Sequence, residues 1–103
     1  ESRNYSIVRE MCGHGIGKSM HEDPEVPNYG RRGTGPLIKN GMCIAIEPMI
    51  TMGSPQIYMM PDKWTIRTRD GRLAAHYEHT IAVHKGKADI LSSFKEIEDL
   101  LKY

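Results

Sequence analysis

Apolar and polar residues alternate along Trp64-Thr-Ile-Arg-Thr-Arg69, the two-residue period of a half-buried strand. Asp70-Gly71 follows directly and is a hairpin signal, which predicts an antiparallel partner over Ala74 to His84. Gly86 then allows a turn into a short strand from Ala88 to Leu91. Residues 42–51 form an apolar run broken only by Glu47 and Pro48, which fits a mostly buried strand with an edge or bulge at the proline. Asn40-Gly41 marks the turn before it. Tyr5 to Cys12 begins β-rich and runs into a glycine cluster, so a strand is expected there, with the end of a helix as the alternative. Pro24, Pro27, Gly30, Gly33, Gly35 and Pro36 predict a long loop over 23–36.

The C-terminus has a different period. Phe94, Ile97, Leu100 and Leu101 recur at helical spacing, and Ser93 stands three residues before Glu96 as in a capping box. A short amphipathic helix packed on the sheet is expected. The whole reads as an α+β architecture, a curved antiparallel sheet with helical cover.

Composition narrows the function classes. With 103 residues and 39% apolar content the chain suits one small globular domain. A formal charge of +1 supplies no polyelectrolyte attraction to nucleic acid, and no apolar run reaches the ~18 residues of a membrane span. Cys12 and Cys43 form neither a CxxC pair nor a disulfide framework, which suits two buried or site-lining thiols in a reducing compartment. The first residue is not Met, and the chain reads as opening partway through a domain.

Three segments offer chemistry. His14 lies in Gly13-His-Gly-Ile-Gly17, where the glycines permit close approach of backbone or substrate. Glu47 lies in Ile46-Glu-Pro-Met49, an apolar setting that is costly for a carboxylate unless a cation or metal pairs with it. Glu78 leads into an apolar strand within Tyr77-Glu-His-Thr80. A histidine with carboxylates suits hard or borderline divalent ions, which can activate water for hydrolysis. Neither an HExxH helix nor a Cys-based zinc spacing is present.

Taken in order, Cys12-Gly-His-Gly-Ile-Gly17, His21-Glu-Asp-Pro-Glu-Val26, Gly41-Met42, Ile46-Glu-Pro-Met49, Lys63-Trp-Thr-Ile-Arg-Thr68 and Glu78-His-Thr-Ile81 resemble the C-terminal half of a type I methionine aminopeptidase, over about Asn4 to Val83. The resemblance implies the pita-bread fold, with residues 1–103 forming the C-terminal part of a single catalytic domain. It implies two divalent ions, of iron, manganese, cobalt or zinc. His14 would be a metal ligand, Glu47 a ligand and proton shuttle, and Glu78 the bridge between the ions. His21 would act on the substrate carbonyl or amide. Met20, Met49 and Trp64 would help line the pocket for the substrate methionine, with Met20 standing where many relatives carry an aromatic residue. His79 would be structural or support the ligands from behind.

The implied activity is removal of initiator methionine from nascent chains in the cytoplasm; the sequence leaves open whether the protein docks on the ribosome. The family's site also draws two aspartates and another histidine from an N-terminal half. Asp23, Asp62, Asp70, Asp89 and Asp99 do not lie in the corresponding motifs. The N-terminal half is therefore an expected partner, and the isolated chain is expected to be inactive. Two rival readings are another pita-bread peptidase of the prolidase or aminopeptidase P kind and a non-catalytic binding module. Met49 after Pro48 and the Glu78-His79-Thr80 motif favour the methionine enzyme, and retention of all three ligands disfavours the binding module. The spacing leaves little room for the helical insertion of type II enzymes.

Overall fold

The computed structural model describes residues 1–102. Among the described residues, ten short strands and one short helix follow one another. The main sheet has five strands, in the order β10 (Lys87–Ile90), β9 (His79–His84), β4 (Cys43–Ile46), β2 (Gly13–Gly15) and β3 (Glu22–Val26). A second sheet has the order β1 (Ser6–Ile7), β5 (Met49–Thr51) and β8 (Ala74–His76). A separate ribbon pairs β6 (Ile57–Met59) with β7 (Ile66–Thr68). All neighbouring strands are antiparallel.

Two stretches of chain pass from one sheet to the other side by side. The apolar run over 42–51 is not one strand: it divides into β4 in the main sheet and β5 in the second, at Glu47-Pro48. Proline has no N–H for a ladder bond, so the strand breaks there. The neighbouring segment makes the same crossing between β8 and β9, at Tyr77-Glu78. The Tyr77 amide donates to the Pro48 carbonyl at 3.2 Å and ties the two kinks together. The Asn28 side-chain amide donates to the Glu47 carbonyl at 3.2 Å and holds the first kink from a third side.

Several sequence expectations require correction. The predicted loop over 23–36 begins with a strand, because Glu22–Val26 pairs with β2. Pro24 is tolerated since β3 is the outermost strand, where a missing donor leaves no partner unsatisfied. Of the expected strand over 5–12 only Ser6–Ile7 forms, as β1 of the second sheet, and β2 of the main sheet begins beyond it at Gly13. Asp70-Gly71 does turn the chain, with Gly71 at φ +71°, but it does not join two paired strands. β7 pairs backwards with β6, while β8 pairs with β5 and β9 with β4. Non-local register decided these pairings, and the turn signal reports only local geometry.

The expected helical cover over the sheet is not seen among the described residues. α1 spans Lys95–Leu100, six residues with none buried, and Ile97 and Leu100 are exposed. Ser93 Oγ accepts the Lys95 N–H at 3.1 Å, but Phe94 occupies the capping position and no side chain caps the helix. Six residues are too few to hold a helix by propensity alone. Phe94 anchors this end by packing 4.8 Å from the Tyr77 ring and 5.0 Å from His79.

The fully buried apolar core is small: Val8, Ile44 and Ala45, with Thr51 beside them. The chain exposes 8627 Å², whereas a folded monomer of this mass exposes about 5,900 Å². Its radius of gyration is 15.6 Å against about 13 Å for a compact chain of this length. Trp64, Leu37, Leu73, Leu100 and Met20 are each more than 70% exposed.

Two predictions follow from this architecture. A Cβ on Gly15 would overlap the Asp23 carbonyl of the edge strand. Gly15→Ala should therefore cost about 3 kcal/mol of stability in urea unfolding, the scale of steric strain in a packed sheet. The Asp70 carboxylate accepts the Arg72 amide at 3.0 Å and the Ser54 amide at 2.7 Å, and those bonds hold its pKa below the ordinary 3.8. A depressed folded-state pKa contributes stability above the unfolded value, which is lost as pH falls through the folded value. Asp70→Asn should lower the urea midpoint at neutral pH, and its deficit against wild type should close once pH drops well below 3.8.

Candidate metal centre

Register brings the three predicted ligands together. His14 on β2 pairs with Ala45 on β4, and Ala45 pairs with Thr80 on β9. These three residues share one face. Side chains in a strand repeat every two residues, so Glu47, two beyond Ala45, is directed to that face as its strand ends. Glu78, two before Thr80, is directed there too. Because β4 and β9 run antiparallel, both steps go toward the same end of the sheet. His14 and Glu47 are then diagonal neighbours, within reach of long side chains. The buried Ala45 between them leaves room for the larger groups.

The resulting geometry is close. Among the described residues His14, Glu47 and Glu78 form a group in which one ligand atom from each lies within 4.8 Å of the others. Metal–donor bonds of about 2.0–2.2 Å span about 4.4 Å at most between donors, so only a small contraction is needed. Glu47 is 12% exposed at its side chain and His14 is 14% exposed, while Glu78 faces outward.

The histidine tautomer is legible in the hydrogen bonds. His14 Nδ1 lies 2.9 Å from the Gly15 carbonyl, which can only accept, so Nδ1 carries a hydrogen. In the neutral ring Nε2 is then a lone pair, the form a metal requires. Yet Nε2 lies 3.1 Å from Glu47 Oε1, a second acceptor. A lone pair facing a carboxylate at that distance calls for a cation, either a proton or a metal ion. The donor set therefore fits a divalent ion.

His21 stands beside this group, its ring centroid 4.2 Å from that of His14. Its loop is held by Glu22, whose carboxylate accepts the Ser19 amide at 2.9 Å. His21, His14 and Cys12 line one shallow cavity on this side of the sheet. Cys12 and Cys43 are both free thiols.

A 300 Å³ cavity opens on the other flank of Glu47, lined by Val8, Met11, Met49, Ile57, Ile66 and Ala75 among others. Met49 therefore lies where an apolar side chain could be received. Met20 and Trp64 do not line this cavity and are 71% and 86% exposed.

Sequence reasoning missed His76. The Met49–His76 register places it next to the first kink, and its Nε2 lies 3.1 Å from Glu47 Oε2. No local motif signalled this, because the contact depends on a strand pairing between residues 49–51 and 74–76. His79 points to the opposite face from Glu78. Its Nδ1 lies 2.7 Å from Ser92 Oγ and its Nε2 lies 3.0 Å from the Tyr77 hydroxyl.

Comparison with known proteins accords with this geometry. The family model for metallopeptidase family M24 matches residues 1–85. The chain is 50% identical over 95 residues to the methionine aminopeptidase of Clostridium perfringens, covering 92% of this chain and 38% of that protein. It is 53% identical over 92 residues to that of Clostridium acetobutylicum, covering 89% and 37%. The solved methionine aminopeptidase of Thermotoga maritima superposes with a TM-score of 0.85 at 44% identity, over 87% of this chain and 36% of that one. That of Rickettsia prowazekii gives 0.83 at 47% identity, over 86% and 36%. The sheet is thus that of the pita-bread methionine aminopeptidases, and the chain spans little more than a third of their length. With a family model matched through residue 85 and a histidine–carboxylate cluster suited to a divalent ion, the chain belongs to metallopeptidase family M24.

Proposed function

We propose that this chain is the C-terminal part, residues 1–103, of a methionine aminopeptidase domain that removes N-terminal methionine from newly made proteins. The convergence of His14, Glu47 and Glu78 within 4.8 Å, on a fold shared with methionine aminopeptidases, carries the reading. His14 would hold an ion through Nε2, Glu47 would serve as ligand and proton carrier, and the exposed Glu78 would serve as a shared ligand. When bound, the ions supply an activated water and a Lewis acid for the scissile carbonyl. Iron, manganese, cobalt and zinc all suit this donor set, and availability selects among them.

The residues of the chain divide the remaining work. Glu47 accepts the proton of the attacking water and passes it to the departing amine. Asn28 holds the Glu47 main chain at the kink, and the side chain is packed to 12% exposure. An imidazole N–H of His21 donates to the oxygen that gains charge in the transition state. The apolar cavity beside Met49 receives the methionine side chain, with Met20 and Trp64 contributing once the rest of the domain closes over them. Action on newly made proteins would place the enzyme in the cytoplasm.

The excess surface supports an N-terminal half as the partner. The apolar side chains of Leu37, Leu73 and Trp64 need a cover, and the two aspartates that complete the family's site would come with it. A stable association of this kind buries upwards of about 1,200 Å².

Two outcomes are expected. The chain mixed with an N-terminal segment from the clostridial relative should release methionine from a Met-Ala-Ser peptide when Mn²⁺ or Co²⁺ is supplied. The chain alone should not, and an inactive, folded, metal-loaded mixture would count against the reading. In the mixture, Glu47→Ala should abolish release and weaken Co²⁺ binding more than about 100-fold, beyond the range of supporting residues. His21→Ala should lower kcat by about 10²–10³ with metal content retained, measured by peptide assay and metal analysis in parallel.

A further inference from the structure

His76 is a titratable side chain in contact with Glu47 that the roles above leave unused. It reaches Glu47 from the second sheet, whereas His14 reaches it from the main sheet. The two Glu47 oxygens are thereby divided: Oε1 faces His14 Nε2 and Oε2 faces His76 Nε2, each at 3.1 Å. The two imidazoles differ in kind. His14 has its Nδ1 tied to a carbonyl and turns a lone pair toward Glu47. His76 has no backbone partner at Nδ1 among the described contacts and is 48% exposed, so it is free to adopt the Nε2–H tautomer. That N–H can donate to Oε2.

We infer that His76 is a positioning residue for Glu47. Its N–H holds Oε2 toward the second sheet, so that Oε1 stays aimed at His14, where an ion would be held. The inference rests on the reading of His14 and Glu47 as metal ligands. Backbone geometry alone does not do this work. The kink at Pro48 and the Asn28 bond hold the Glu47 main chain, but the terminal carboxylate torsion is broad and needs a partner at each oxygen. His76 also contributes to the walls of the cavities on both sides of the kink, the 300 Å³ apolar one and the one beside Tyr77, Glu78 and Phe94. A donor at this place therefore couples the substrate side of the site to the orientation of its base.

Only a hydrogen-bond donor is required, not a titrating ring or a metal ligand. This separates three roles by substitution. Co²⁺ would be titrated into wild type, Glu47→Ala, His76→Gln and His76→Leu forms of the chain, following affinity by calorimetry and coordination by the visible d–d spectrum. Circular dichroism and urea unfolding would check that each variant is folded. His76→Leu should weaken Co²⁺ about 10-fold and change the spectrum, as loss of a residue that orients a ligand does. His76→Gln, whose amide can donate to the same oxygen, should restore both to near wild type. Equal affinity and an unchanged spectrum in folded His76→Leu would overturn the role of His76 alone. Loss of binding in both His76 variants would make His76 a ligand and overturn the positioning role. Absence of Co²⁺ binding in wild type, or wild-type binding in Glu47→Ala, would overturn the ligand assignment and this inference with it.

Discussion

The pairing of two chain crossings is the constraint on which the site depends. β4 leaves the main sheet at Glu47-Pro48, and its neighbour enters that sheet at Tyr77-Glu78, so both carboxylates lie at one shared break. A kink exposes backbone that a continuous ladder would satisfy, and the structure answers with the Tyr77 amide on Pro48 and the Asn28 side chain on Glu47. The break is thus held rather than loose. It places two acidic groups where a straight strand would have presented only sheet surface.

From that break the electrostatics follow. Glu47 is nearly buried, and a carboxylate in such a place must be compensated. No lysine or arginine is bonded to it among the described contacts. Two histidines from two sheets face it instead, one of them with its hydrogen committed elsewhere. The arrangement is poorly matched as an ion pair and well matched as a ligand set. A structural salt bridge would need a permanent cation, and the chain supplies imidazole.

The same design explains why so much apolar surface remains uncovered. The core of Val8, Ile44 and Ala45 fixes the three-strand register under the site but does little to enclose it. α1 is too short to act as a lid, and the ribbon of β6 and β7 stands apart with Trp64 exposed. The chain builds one wall of a site. Its candidate ligands are brought together by pairing of strands distant in the chain, and the exposed apolar surface around them is left uncovered.

How far the sequence reached depended on range. His14, Glu47 and Glu78 were legible because each sits in a short motif of distinct chemistry, and the family resemblance joined the motifs. Pro48 marked a break, and Gly71 a turn, because both residues act on their own backbone. The strand at Glu22–Val26 was hidden by Pro24, since an edge position excuses a proline and edge status is a property of the sheet. The partners of β7 and β8 were misread because a turn signal is local and register is not. His76 had no motif at all. By itself the sequence determined which residues are candidates for chemistry and where the backbone must bend, since side-chain type and proline or glycine geometry are local properties. Only the tertiary structure decided which strands meet, and hence that two imidazoles face one carboxylate, because pairing partners are chosen by contacts between residues distant in the chain.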